Sequence, residues 1–220
     1  MPKLFETMRE EAFFAAGQLS GVVEQTDADR ILNSALREVH DMLTQAVEDY
    51  QLTTSAELTV AGGADYVALP TDVYKVRGVD RKIGTSWQTM DRHEFGDRNK
   101  TSGPLTYTVA GSRLYFAPVA QAPGAIVRVL YTPVFTDLSD GGSFDGINGF
   151  EELAVVEAAI RMRDAEESDV QVLMARKAAL MERVNMMAQR RDRGRPHKAR
   201  DVRGTNWRGA RWRGPDQGEF

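Results

Sequence analysis

The chain has 220 residues, 42% of them hydrophobic and 27% charged, the make-up of a water-soluble protein with room for one domain, an insertion and a tail. It has no cysteine, which excludes thiol catalysis and cysteine-based zinc sites and removes any need for an oxidising compartment. The net charge of −4 conceals an asymmetry: residues 190–220 hold ten Arg or Lys against four Asp or Glu (+6), whereas residues 1–189 hold 18 basic against 28 acidic side chains (−10).

The start, Met1-Pro2-Lys3-Leu4, lacks the apolar core of a signal peptide, and no apolar run approaches membrane-spanning length, so a soluble, cytoplasmically made protein is expected. From Lys3 to about Gly17, Leu4, Phe5, Met8, Ala12 and Phe13 lie on or near one face of a predicted helix. A second helix is predicted from a cap at Thr26 or Asp27 to about Tyr50, with Leu32, Ala35, Leu36, Val39, Leu43, Ala46, Val47 and Tyr50 forming its apolar stripe. His40, flanked by Glu38 and Asp41, reads as a surface or interfacial residue.

A block of short β-type segments follows. Glu57–Val60 and Tyr66–Leu69 flank Ala61-Gly62-Gly63-Ala64 and read as a hairpin, and Val73–Val79 as a further strand. Asp91–Pro104 is polar and rich in glycine and charge, an exposed loop in which Arg92, His93, Arg98 and Lys100 are candidate contacts for a partner. In Leu105–Phe116, Gly111-Ser112 is a two-residue loop of the glycine-first kind, which fixes a register with Val109 facing Leu114 and Tyr107 facing Phe116. Ala125–Tyr131 is a strand apolar on both faces.

Pro133 to Gly149 reads as a connector. A third helix is expected from Phe150 to about Glu166, and a fourth from a cap at Ser168, carrying Leu173, Leu180, Val184 and Met187, until Gly194 and Pro196 stop it. The fold class expected is α+β, mainly an α-helical bundle of about four helices with a β-sheet or β-hairpin insertion and an extended arm. The divisions are 1–55 and 136–190 for the bundle, 56–135 for the insertion and 191–220 for the arm.

Little in the chain suits catalysis. His40, His93 and His197 have no metal-ligand spacing, and there is neither a Gly-x-Ser-x-Gly elbow nor a phosphate-binding loop. Asp137, Asp140 and Asp145 lack the spacing of a calcium loop and read as a solvated acidic stretch before the third helix. A protein without enzymatic activity, metal or cofactor is expected.

The arm carries the strongest functional signal. Trp207 and Trp212 are interleaved with Arg203, Arg208, Arg211 and Arg213, after Arg191, Arg193, Arg195 and Arg200. Tryptophan and arginine are the residues most often found as interface anchors, which fits docking on a protein. The same composition suits nucleic acid, with arginine on phosphates and tryptophan on bases.

Gly63-x-x-Tyr66-x-x-Leu69-Pro70-x-Asp72-x-Tyr74, followed by Gly78-Val79-Asp80, comes after a helical hairpin. Leu114-Tyr115-Phe116-Ala117-Pro118, Arg128-Val129-Leu130-Tyr131-Thr132-Pro133, Leu138 and a final helix pair complete the order. Over residues 26–188 this layout resembles the head-to-tail adaptor (connector) proteins of tailed bacteriophages. The resemblance implies a virion protein at the head–tail junction, made in the host bacterial cytoplasm. It further implies a ring, typically dodecameric, that docks beneath the portal protein, receives the tail or nozzle protein, and surrounds a channel through which DNA passes without specific binding. In several relatives a C-terminal extension reaches into the portal, and the arm here matches it by position. The alternative is a nucleic-acid-binding protein acting through the arm.

Overall fold

The computed structural model describes residues 2–17, 23–47, 50–97, 99–147, 149–165 and 168–191. Its helices are α1 (Phe5–Ala15), α2 (Gln25–Ala46), α3 (Glu151–Asp164) and α4 (Gln171–Arg191). The strands are β1 (Lys3–Leu4), β2 (Thr53–Thr54), β3 (Leu58–Thr59), β4 (Tyr66–Ala68), β5 (Val73–Ile83), β6 (Ser86–Thr89), β7 (Thr106–Ala110), β8 (Arg113–Ala117), β9 (Ile126–Pro133) and β10 (Ser143–Phe144). The helices form one core. α3 is buried nearly all round, from Leu153 through Ala159 to Met162, so it is the central helix, with α1, α2 and α4 packed about it.

The β segments are not an accessory to this bundle. They form a five-stranded sheet, β2-β9-β5-β6 with β3 also on β9, and a three-stranded sheet, β4-β8-β7. The two sheets enclose a second core of Val60, Val79, Leu105, Tyr107, Leu114, Phe116, Val127 and Val129. The class is α+β, but the expectation of a mainly helical bundle with an insertion is corrected: the strands make a body with its own interior. Short strands broken by Gly and Pro hide this, because each buries little alone and acquires partners far away in sequence.

The Gly111 hairpin forms in the expected register, with Val109 opposite Leu114 and Tyr107 opposite Phe116. Gly111 has φ +59°, the left-handed conformation the loop requires. The expected hairpin around Gly62-Gly63 does not form: β3 pairs with β9 and β4 with β8, so the loop carries the chain from one sheet to the other. The strand predicted to end at Val79 continues to Ile83 and turns back through Gly84 into β6. At the helix ends, α2 starts after Glu24 with no side-chain cap at Thr26 or Asp27, and Asp169, in place of Ser168, accepts from the Gln171 N–H at 3.0 Å.

The two bodies are joined by a bulge. Between Val76 and Gly78 the β5–β9 register shifts, leaving Arg77 over and turning its side chain onto α2. Arg77 Nη2 donates to Thr44 O at 2.6 Å and Nε to Thr132 Oγ1 at 3.3 Å. α2 has no basic residue in its last turn, so a guanidinium from the sheet supplies the positive charge its C-terminal carbonyls favour. Arg77→Ala is expected to lower stability by about 2 kcal/mol, as charged hydrogen bonds to buried carbonyls do. Urea unfolding checks this, and a variant within 0.5 kcal/mol of the parent (about the scatter of surface substitutions) sinks the clamp.

The connector is strapped to the helices as well. Asn33 donates to Leu138 O (2.9 Å) and accepts from Leu138 N (2.8 Å). Arg37 meets Asp137 at 2.6 Å, and Arg9 reaches Asp29 at 2.8 Å and Asp140 at 2.9 Å. The hydrogen bond to Asp29, followed by that to Asp140, holds the Arg9 pKa above its ordinary value. Asp137 and Asp140 are solvated as expected, their side chains 60% and 62% exposed, and in addition they pair with arginines.

Candidate assembly surfaces

The divisions of charge follow the two bodies. Residues 1–55 and 134–189, which build the helical body, hold nine basic against 21 acidic side chains, net −12. Residues 56–133, the β body, hold nine against seven, net +2. This acidity lies more in the segments between the helices than on them, since the four helices together hold 12 acidic against ten basic side chains.

The proposed docking arm begins where α4 ends. Arg191 is the last residue of that helix, and Arg193, Arg195, Arg200, Arg203, Trp207, Arg208, Arg211, Trp212 and Arg213 lie outside the described residues. α4 is held to the bundle by Leu173, Leu180 and Val184, which fixes where the arm departs. Its remaining surface is more apolar than an exposed helix needs: Val172 is 80% exposed, and Met174, Met181 and Met186 are exposed too. Val172, Ala179 and Met186 recur every seven residues and share one flank, and Met174 and Met181 share the other. This seven-residue spacing is present in the sequence but is overshadowed by the buried stripe of Leu173, Leu180 and Val184.

Phe14, at the end of α1, is 74% exposed. Arg163 donates to Ala16 O and to Asp169 O, both at 3.1 Å, and so ties the end of α1 to the start of α4.

The Asp91–Pro104 loop is only partly a contact surface. Arg92 and Lys100 are exposed, and Arg98 lies outside the described residues. His93 is turned inward, 9% exposed. Its Nδ1 lies 3.1 Å from Thr106 Oγ1, whose hydroxyl already donates to Ala117 O at 3.0 Å, so Nδ1 carries the proton and donates. Burial pushes the His93 pKa down. The backbone is tied at the same place, with His93 N donating to Tyr107 O at 2.9 Å. The loop's root is thus part of the β core.

Across the central strands of the five-stranded sheet, Arg128 on β9 grips Asp80 on β5 through Nε (3.0 Å) and Nη2 (2.9 Å), and it lies 4.4 Å from the centre of the Trp87 ring on the edge strand β6. Cross-strand ion pairing and cation–π contact together fix an otherwise free edge strand.

His40 is not a surface residue. It is 1% exposed, with ring centres of Tyr50, Tyr74 and Phe135 at 5.6, 6.0 and 5.8 Å. Neither ring nitrogen has a hydrogen-bond partner among the described residues, and burial lowers its pKa against the opposing pull of Asp41. Position 40 falls four residues after Leu36, on the helix's apolar stripe, a signal outweighed by the acidic neighbours.

Among the described residues no three His, Asp or Glu side chains are gathered as a metal would need, and no helix is long and apolar enough to cross a membrane. The family model described as SU10 adaptor protein matches residues 11–202. No curated protein matches the chain.

Proposed function

The chain belongs to the SU10 adaptor protein family and is a structural adaptor of bacteriophage, and from that premise we propose that it forms the ring joining portal to tail. Such a ring is closed by heterologous contacts, each copy offering two different faces. One face is the Val172 and Met186 flank, an apolar surface of the kind that marks association sites. The acidic helical body, net −12, suits the wall of a DNA channel, since like charge lets the duplex slide without sticking. The +6 arm leaves from the end of α4 and anchors the ring to the portal, and Arg92 and Lys100 face the tail protein. A closed ring of twelve copies is the expected form.

The observation that carries this reading is the separation of charge and role: an acidic body in a virion-adaptor family ending in a basic, tryptophan-bearing arm. The test is co-sedimentation with the portal ring of the same genome, comparing the full chain with one ending at Gln189. The full chain is expected to join the portal and the shortened one to lose binding. Equal binding by both removes the arm from the portal contact.

The Arg/Trp interleaving also favours a second reading, in which the arm binds nucleic acid. In that case the full chain shifts bare DNA, with affinity falling by roughly 1000-fold or more between 50 and 200 mM salt. An arm anchored by desolvated tryptophans keeps its hold over that range.

A further inference from the structure

α2, α3 and α4 leave a groove of about 190 Å³ between them, with Val39, Met42, Leu153 and Met181 as its apolar lining and Glu38, Glu157 and Lys177 at its sides, Lys177 paired with Glu157 and Glu38 with Arg161. That is several times the roughly 30 Å³ a water takes up in the liquid, so it holds one large side chain and not a chain segment. Methionines make such a site adaptable and favour aromatic rings. We propose that this groove seats a tryptophan of the Trp-Arg-Gly doublet, Trp207 or Trp212, from the same chain, holding the arm on its own body before assembly.

Three observations choose this occupant. The first is reach. Met181 lies ten residues before the end of α4, about 15 Å back along the helix. Sixteen residues separate Arg191 from Trp207, a tether that spans up to about 50 Å. The arm folds back over this distance with chain to spare.

The second is charge. The arm carries +6, and the segments that build the helical body carry −12. Flanking arginines therefore draw the indole toward the groove and not toward the β body, which is +2.

The third is shape and chemistry. The tryptophans are the arm's only large apolar side chains besides Phe220, and the groove is the apolar hollow among the helices that lies beside the arm's root. The arginine guanidiniums remain at the rim, where Glu38 is exposed. Self-docking shields a basic, sticky arm from nucleic acid and makes its release a step in portal attachment. This inference adds a resting state to the portal reading, but its test does not depend on a portal.

The experiment is ¹⁹F NMR of the full chain labelled with 5-fluorotryptophan, assigned with Trp87→Phe, Trp207→Phe and Trp212→Phe. One arm resonance is expected away from its position in a synthetic 190–220 peptide. It should stay there on tenfold dilution in samples that sediment as monomer, and return to the peptide position in Met181→Lys or at 1 M salt. Met181 is partly exposed, so the lysine is tolerated by the helix, and Met42→Lys gives an independent second variant. Circular dichroism confirms that both remain folded. The proposal is overturned if both arm resonances coincide with the free peptide, or if neither variant moves the displaced one. A displaced resonance that disappears on dilution also overturns it, since the seat then belongs to another copy. Portal co-sedimentation by a chain that shows no self-docking leaves the portal reading intact and removes only the resting state.

Discussion

Gly146→Ala lowers the stability of the protein by about 3 kcal/mol or more and loosens the start of α3, the upper range for forcing an extra methyl into a packed site. The cause is steric and lies in the backbone. A Cβ at Gly146 would stand 2.5 Å from Glu151 N and 2.9 Å from Phe150 C, main-chain atoms that no rotamer change can move. The same turn holds a buried hydrogen bond, Gly146 N to Glu151 Oε1 at 3.1 Å, which satisfies a carboxylate only 4% exposed in the first turn of the helix. Pushing the two segments apart leaves that carboxylate buried without its donor, a second penalty on top of the overlap. One residue earlier, the Tyr50 hydroxyl donates to Asp145 O at 3.0 Å, and burial with the nearby Asp145 and Glu151 carboxylates raises the tyrosine's pKa. The substitution thus disturbs the seam between connector and central helix. Urea denaturation with intact m-value is the measurement. A loss under 1 kcal/mol would falsify the claim that this approach is fixed.

What could be read from the sequence divides by the distance between partners. The Gly111 hairpin was legible because loop, register and core face all lie within Leu105–Phe116, and the observed pairing of Tyr107 with Phe116 follows from the turn alone. The apolar stripes of α2 and α4 were legible for the same reason, since 3.6-residue periodicity is a local property. Gly62-Gly63 carries an equally strong turn signal, yet its flanking strands go to β9 and β8, choices decided by residues about 50 to 70 positions away. β1 and β10, two residues each and paired across about 140 positions, have no pattern to detect. Arg77 is of this type too: only the bulge, visible once β5 lies against β9, turns it toward α2. Of the candidate contacts, Arg92 and Lys100 lie where a polar loop predicts, whereas His93 is drawn inward by Thr106, at the start of β7.

His40→Phe raises stability at pH 7 by about 2 kcal/mol and flattens its decline in mild acid. A neutral imidazole has one donor and one acceptor, and in the cage of Tyr50, Tyr74 and Phe135 neither meets a partner among the described residues, each at a cost of about 1–3 kcal/mol. Phenylalanine keeps the aromatic contacts and removes both orphaned atoms. The pH dependence follows from burial, which lowers the folded-state pKa of His40 below its ordinary 6.5. The unfolded chain then binds the proton more readily than the folded one, so this contribution is complete above about pH 6.5 and is lost as pH falls toward the depressed folded value. The slope for one proton is at most about 1.4 kcal/mol per pH unit. The groups around the ring act differently. Asp41, on the same helix with Oδ1 3.7 Å from Nδ1, opposes the shift, whereas Tyr74 from β5 and Phe135 after β9 bring no countercharge. His93, buried with a lowered pKa of its own, is present in both proteins and cancels in the difference. Urea midpoints of parent and variant at pH 5, 6, 7 and 8 should diverge as pH falls, the variant remaining the more stable. A constant difference over that range rules out the titration of His40, and a less stable variant at pH 7 means that its nitrogens are satisfied in solution. His40 lies where α2 meets β5 and the segment after β9, so its titration acts at the joint between the helical and β bodies that Arg77 also spans.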